Sequence, residues 1–154
     1  MKRSTRLSGV LHVLLHMAEL DGPVTSETMA VIMGTNAVVI RRIMSGLRDA
    51  GMVRSAKGHG GGWTIERDLA SVTLRDVYVA LDSPELFAMG NRTDVPGCLV
   101  EEAVNAALEA GFRDAEALLL ERFAGVTLAA LSADFHTRMV ASGKSIDLEN
   151  THGA

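Results

Sequence analysis

A mainly α-helical fold with one small β-hairpin is predicted for this chain by three observations. Apolar residues recur at helical spacing through most of its length. Helix caps and glycine stops punctuate the first half, and one glycine-rich run separates two short strand-like segments. The chain has 154 residues, 47% hydrophobic and 22% charged, enough to bury a real core as one domain with an appended element. Only 4% is aromatic while methionine reaches 8 residues, a balance suited to helices packed through Leu, Ala, Val and Met.

Leu7, Val10, Leu11, Leu14 and Met17 form one stripe of a first helix, which Asp21-Gly22-Pro23 ends. Its basic start and apolar run mimic a signal peptide. But His12 and His16 interrupt the run, and Glu19 and Asp21 stand where small cleavage-site residues belong. No apolar segment approaches the roughly 18 residues of a membrane span, so a cytoplasmic protein without a membrane partner is expected. Thr25 or Ser26 caps a second, short helix that Gly34 stops. Asn36 caps a third, with Ile40, Ile43, Met44 and Leu47 on its inner face and Gly51 at its end. Two short helices across a tight glycine turn form a helix-turn-helix pattern, which also occurs in purely structural roles.

"MVRSA" and "WTIER" then read as the strands of a hairpin whose tip holds Gly58, Gly60, Gly61 and Gly62. Thr73 opens another helix with Asp76 at the capping-box position and Leu74, Val77 and Leu81 as its buried face. Residues 83–97 carry the breakers Pro84, Gly90, Pro96 and Gly97. A long helix follows from about Cys98 to Phe123, with Val100, Val104, Leu108, Phe112, Ala115 and Leu119 near one stripe. Thr127 caps a final short helix, "LAALSADF", and the tail from Ser142 is polar.

The glycine cluster poses the functional question. A phosphate-binding P-loop needs Lys after the glycines and then a helix; here Lys57 precedes them and a strand follows. The dinucleotide fingerprint fails for the same reason. A hairpin directly after a helix-turn-helix is instead the layout of a winged helix, in which the third helix enters the DNA major groove. The glycines then let the wing tip approach phosphates, while Lys57 or His59 reaches into the groove. A structural turn accounts for one or two glycines, four less readily.

Charge is consistent with this layout. The net charge is −4, yet residues 1–82 carry 10 Lys/Arg against 8 Asp/Glu, and residues 83–154 carry 5 against 11. Between Asn36 and Arg67 six basic side chains face two acidic ones, a basic sector on an acidic protein. On the recognition helix the candidate DNA contacts are Asn36, Val38, Val39, Arg41 and Arg42. Asn suits adenine, Arg guanine or phosphate, and Val a thymine methyl. On the wing they are Lys57, Gly58, His59 and Gly60. Arg3 and Arg6 are candidates for phosphate contact or simple solubility. Trp63 is expected to anchor the hairpin in the core. His12 and His16 have metal-clamping spacing, but without a third ligand packing or exposure is the favoured reading. Cys98, at the start of the long helix, is a candidate sensor thiol or an inert small hydrophobe.

The run Leu47-x-x-Ala50-Gly51-x-Val53-x-Ser55-x-Lys57-Gly58-x-Gly60-Gly61-Gly62-Trp63, followed by "VTLRDVYVALD", resembles the winged-helix regulators typified by IscR, NsrR and CymR, the Rrf-two family. The resemblance runs from the first helix to about Asp82. It implies a homodimer that binds a partly palindromic operator in double-stranded DNA and usually represses. The signal is not part of that resemblance; an oxidant acting at Cys98 or a small molecule near the dimer helices is the candidate. The charge split at Asp82, the breakers that follow it and the polar end of the chain divide it into 1–82 winged helix-turn-helix domain, 83–141 connecting loop with a long dimerisation helix and sensing elements, and 142–154 flexible tail. The family usually has Arg where Lys57 stands, and Lys lacks the planar fork suited to narrow grooves. Cluster-binding members carry three cysteines before the long helix. This chain has only Cys98, so no iron–sulfur cluster and no other cofactor is expected. No nucleophile–base constellation suggests an enzyme. The rival reading is a winged-helix protein-interaction adaptor that has lost DNA binding.

Overall fold

The structure, a computed structural model, describes residues 5–87, 91 and 95–143. Its elements are α1 (Arg6–Ala18), α2 (Ser26–Met33), α3 (Ala37–Asp49), β1 (Val53–Ala56), β2 (Gly62–Ile65), α4 (Leu74–Ala80), α5 (Leu99–Ala124) and α6 (Leu128–Ser142). A single 3-10 turn, Leu69–Ser71, precedes α4. The expectations for Arg3, Gly90 and residues 144–154 lie outside the described residues.

Local chemistry sets the helix ends. The Thr25 hydroxyl accepts the Thr28 backbone N–H at 3.1 Å, and Gly34 closes α2 in the left-handed conformation. Asn36 Oδ1 accepts the Val39 N–H at 3.0 Å to open α3. At α4 the capping box is complete: Thr73 accepts from the Asp76 N–H, and the Asp76 carboxylate accepts the Thr73 N–H at 2.9 Å. Each interaction satisfies a backbone donor that a helix start leaves without an internal partner.

The core lies among α1, α2, α3 and α4. Val10, Val13 and Leu14 meet Met29, Ile40, Met44, Leu47 and Val77 there, all fully buried. Leu74, expected on the buried face of α4, is only half-buried, and Tyr78 is buried instead. Tyr78 fits because its hydroxyl donates to the Pro84 carbonyl at 2.8 Å, which satisfies the polar end of a large buried ring.

β1 and β2 pair antiparallel, with Val53 opposite Ile65 and Ala56 opposite Gly62. Val24, just before α2, adds an isolated antiparallel bridge to β2: it and Trp63 exchange N–H to carbonyl bonds of 2.9 Å each. The hairpin is thereby stitched to the helix-turn-helix.

The C-terminal helices behave unequally. α5 buries none of its residues, and Val100, Val104 and Leu108 of its expected stripe stand exposed. α6 is longer than the eight-residue segment expected, running to Ser142, because no breaker follows Phe135 until left-handed Gly143. Leu128 belongs to the main core and Leu131 packs against it. The Leu128 N–H donates to the Val72 carbonyl, and His136 Nε2 meets Glu19, the C-cap of α1, at 3.1 Å. No single described helix is long and apolar enough to cross a membrane.

Candidate nucleic-acid interface

α3 presents two faces of opposite character. Ile40, Ile43, Met44 and Leu47 point inward, while Val38, Val39, Arg41 and Arg42 are exposed. Val38 is 72% exposed, an apolar group held in solvent on the first turn of the helix. The i, i+3, i+4 geometry puts Val38, Arg41 and Arg42 on one surface.

The structure differentiates residues that look equivalent in sequence. Asn36 spends its side-chain oxygen on the helix cap. That oxygen is the acceptor a bidentate adenine contact needs, so the cap competes with the base-reading role expected for it. Arg41 donates from Nη2 to Glu27 Oε1 of α2 at 2.5 Å. Arg42 forms no ion pair among the described residues.

Lys57, Gly58, His59 and Gly60 all lie exposed at the wing tip. Its four glycines divide into two pairs. Gly58 and Gly60 have φ of +90° and +75°, in open space, where the backbone conformation itself favours glycine. Gly61 and Gly62 serve close approach. A β-carbon at Gly61 would collide with the Ala56 carbonyl oxygen, and one at Gly62 would come 2.7 Å from that of Val24. The reading that all four glycines make space for DNA is therefore corrected. Two of them make space for the chain's own carbonyls, which sequence could not show because Val24 reaches the wing only through the fold.

Trp63 anchors the hairpin, its buried indole N–H donating to the Ser26 hydroxyl at 3.1 Å. Arg54, counted in the sequence only as part of the basic sector, braces the hairpin by reaching Thr64 Oγ1 of β2 and Glu66 Oε2 just beyond it, each at 3.1 Å. Ser26, the alternative cap candidate, leaves the capping to Thr25 and instead accepts from the Trp63 indole. Glu27 carried no signal in the sequence, because a carboxylate in the first turn of α2 looks like ordinary dipole compensation. Arg6 starts α1 and is half-buried.

Cys98 is half-buried at the N-cap of α5, its thiol making no cap hydrogen bond, with Glu101 and Glu102 in the same first turn. His12 and His16 bring their Nε2 atoms within 2.7 Å of each other, but no third His, Cys, Asp or Glu completes a metal-binding group among the described residues.

The same combination of helix-turn-helix, wing and long helix is found in known proteins. The family model described as Rrf2, iron-dependent transcriptional regulator, matches residues 3–134. The chain belongs to this family. YwnA of Bacillus subtilis is 30% identical over 126 residues, covering 81% of this chain and 92% of that protein. The HTH-type transcriptional regulator IscR of Vibrio campbellii is 26% identical over 151 residues, 96% of this chain and 84% of the relative. A solved structure from Lactobacillus plantarum superposes with TM-score 0.73 at 23% identity, over 90% of this chain and 95% of its own, and shares the fold. Rrf2 proteins are transcriptional regulators rather than enzymes, and this chain is a regulator of that family, with a winged-helix fold and a long C-terminal helix.

The family description names iron, and the donors in this chain do not fit an iron–sulfur cluster. Such clusters are held by several thiolates, and the whole sequence offers one, Cys98.

Proposed function

We propose that this Rrf2 regulator acts in the cytoplasm as a homodimeric repressor of a partly palindromic operator. Residues 1–82 read the DNA and residues 83–141 pair the subunits and receive the signal. The observation that carries the reading is the exposed Val38–Arg41–Arg42 surface of α3 together with a wing tip presenting Lys57 and His59. α3 fits the major groove, whose base edges Arg and Val can read, and the wing fits the adjacent backbone. Homodimerisation is supported by α5, where Leu99, Val100, Val104, Leu108 and Leu118 are all exposed. A two-fold pairing of this helix removes that apolar surface from water and sets two α3 helices against two half-sites. Oxidation of the Cys98 thiol, or a small ligand near the dimer helices, shifts the DNA-competent population.

The test is selection from a pool of random duplex DNA, with affinity measured across a salt series and oligomeric state by sedimentation. Enrichment of a palindrome, bound by a dimer with steep salt dependence, is the expected result. Weak binding without enrichment would leave the protein-interaction adaptor as the better account. Loss of binding on oxidation in wild type but not in Cys98→Ser assigns the signal to the thiol, and an equal response in both removes it.

A further inference from the structure

Arg41 and Arg42 are neighbours on the exposed face of α3, yet only Arg41 is held by a carboxylate. Glu27 lies 14 residues earlier, in the first turn of α2, and accepts from Arg41 Nη2 at 2.5 Å. The two side chains are 56% and 66% exposed, so the pair adds little to stability. A carboxylate at the edge of a surface that meets polyanionic DNA also opposes binding. Its physical effect is on Arg41: one N–H is occupied by a carboxylate oxygen, and the positive charge offered to phosphate is reduced.

That combination favours base reading over backbone contact. A guanine edge takes two N–H groups from a planar fork at one orientation. A mobile, unpaired Arg instead finds phosphate on any sequence and releases a counterion wherever it binds. We propose that Glu27 is a specificity-determining, positioning residue: it aims the Arg41 guanidinium at a base edge and withholds it from phosphates of random DNA. Arg42 is then the cation that supplies backbone attraction from α3. This inference rests on the DNA-binding reading above.

Wild type, Glu27→Gln, Arg41→Gln and the double variant are titrated with the duplex that wild type selects and with random duplex, over a salt series. Thermal unfolding confirms that each variant is folded. In Glu27→Gln, random DNA binds several-fold more tightly, and the slope of log affinity against log salt steepens by about 0.9 per protomer. Selectivity for the chosen duplex over random DNA falls about fivefold or more. Both shifts are lost when Arg41 is already Gln. Equal shifts with and without Arg41 mean that Glu27 acts only as diffuse negative charge, which overturns the proposal, as does an unchanged slope and selectivity. Wild type binding neither duplex overturns the DNA-binding reading itself, whereas wild-type binding with an inert Glu27→Gln removes this inference alone.

Discussion

The Trp63 indole N–H donates to the Ser26 hydroxyl at 3.1 Å, tying the second wing strand to the first residue of α2 across 37 positions of sequence. Both residues are buried, at 8% and 6% exposure. Together with the Val24–Trp63 backbone pair, this bond sets the wing's position relative to the helix-turn-helix.

Ser26→Ala strands a buried indole donor and is expected to cost about 1–3 kcal/mol. Trp63→Phe loses the same bond and part of the buried ring. In urea unfolding the two changes combine less than additively, because the second removes an already orphaned partner. Additive losses would show that the bond contributes nothing of its own.

Alanine at the wing glycines separates two causes. Gly61→Ala and Gly62→Ala drive a β-carbon into the Ala56 and Val24 carbonyl oxygens, so the backbone must shift and more than about 2 kcal/mol is lost. Gly58→Ala and Gly60→Ala meet open space and lose only the left-handed backbone preference, about 1–2 kcal/mol. Thermal unfolding of the four variants gives the order; a larger loss at Gly58 than at Gly61 would contradict it.

Gly46 sits in the interior of α3, where helix propensity alone favours alanine by about 1 kcal/mol. Its absent β-carbon instead lets α4 approach, since one placed there would lie 2.7 Å from the Ala80 carbonyl oxygen. Gly46→Ala is therefore expected to lower the unfolding midpoint. A rise would mean that α4 yields without cost.

Arg42→Gln and Lys57→Gln are expected to weaken selected and random duplexes nearly alike. Each lowers the salt slope by about 0.9 for every phosphate it leaves without a cation. Under the proposed DNA reading, Val38→Ala is instead expected to lower affinity for the selected duplex alone, as loss of an apolar contact to a thymine methyl predicts. Parallel titrations distinguish the two patterns.

Burial raises the Tyr78 phenol above its ordinary pKa of 10.0, and the Glu116 carboxylate adds to the shift. The folded state thus keeps a proton that the unfolded state releases above pH 10. Stability from this group is complete below that pH and falls as pH rises towards and through the folded pKa. Denaturation between pH 8 and 11 is expected to show a steeper alkaline decline for wild type than for Tyr78→Phe.

The elements themselves were readable in the residues because their causes are local. Thr25, Asn36, Thr73 and Thr127 cap helices through bonds spanning three positions, and Ile40, Ile43, Met44 and Leu47 declare an inner face by spacing alone. The helix-turn-helix, the hairpin and the basic sector followed from such short-range signals.

The tertiary structure decided what each exposed or compact residue is used for. Glu27 meets Arg41 only because the turn at residues 34–36 sets the angle between α2 and α3. Gly62 is needed because Val24 returns beside β2, and Leu128 enters the main core because Thr73 and Thr127 pair. Caps and periodicities depend on neighbours along the chain. Pairings and close approaches depend on where distant segments are brought by packing, and no local pattern encodes that.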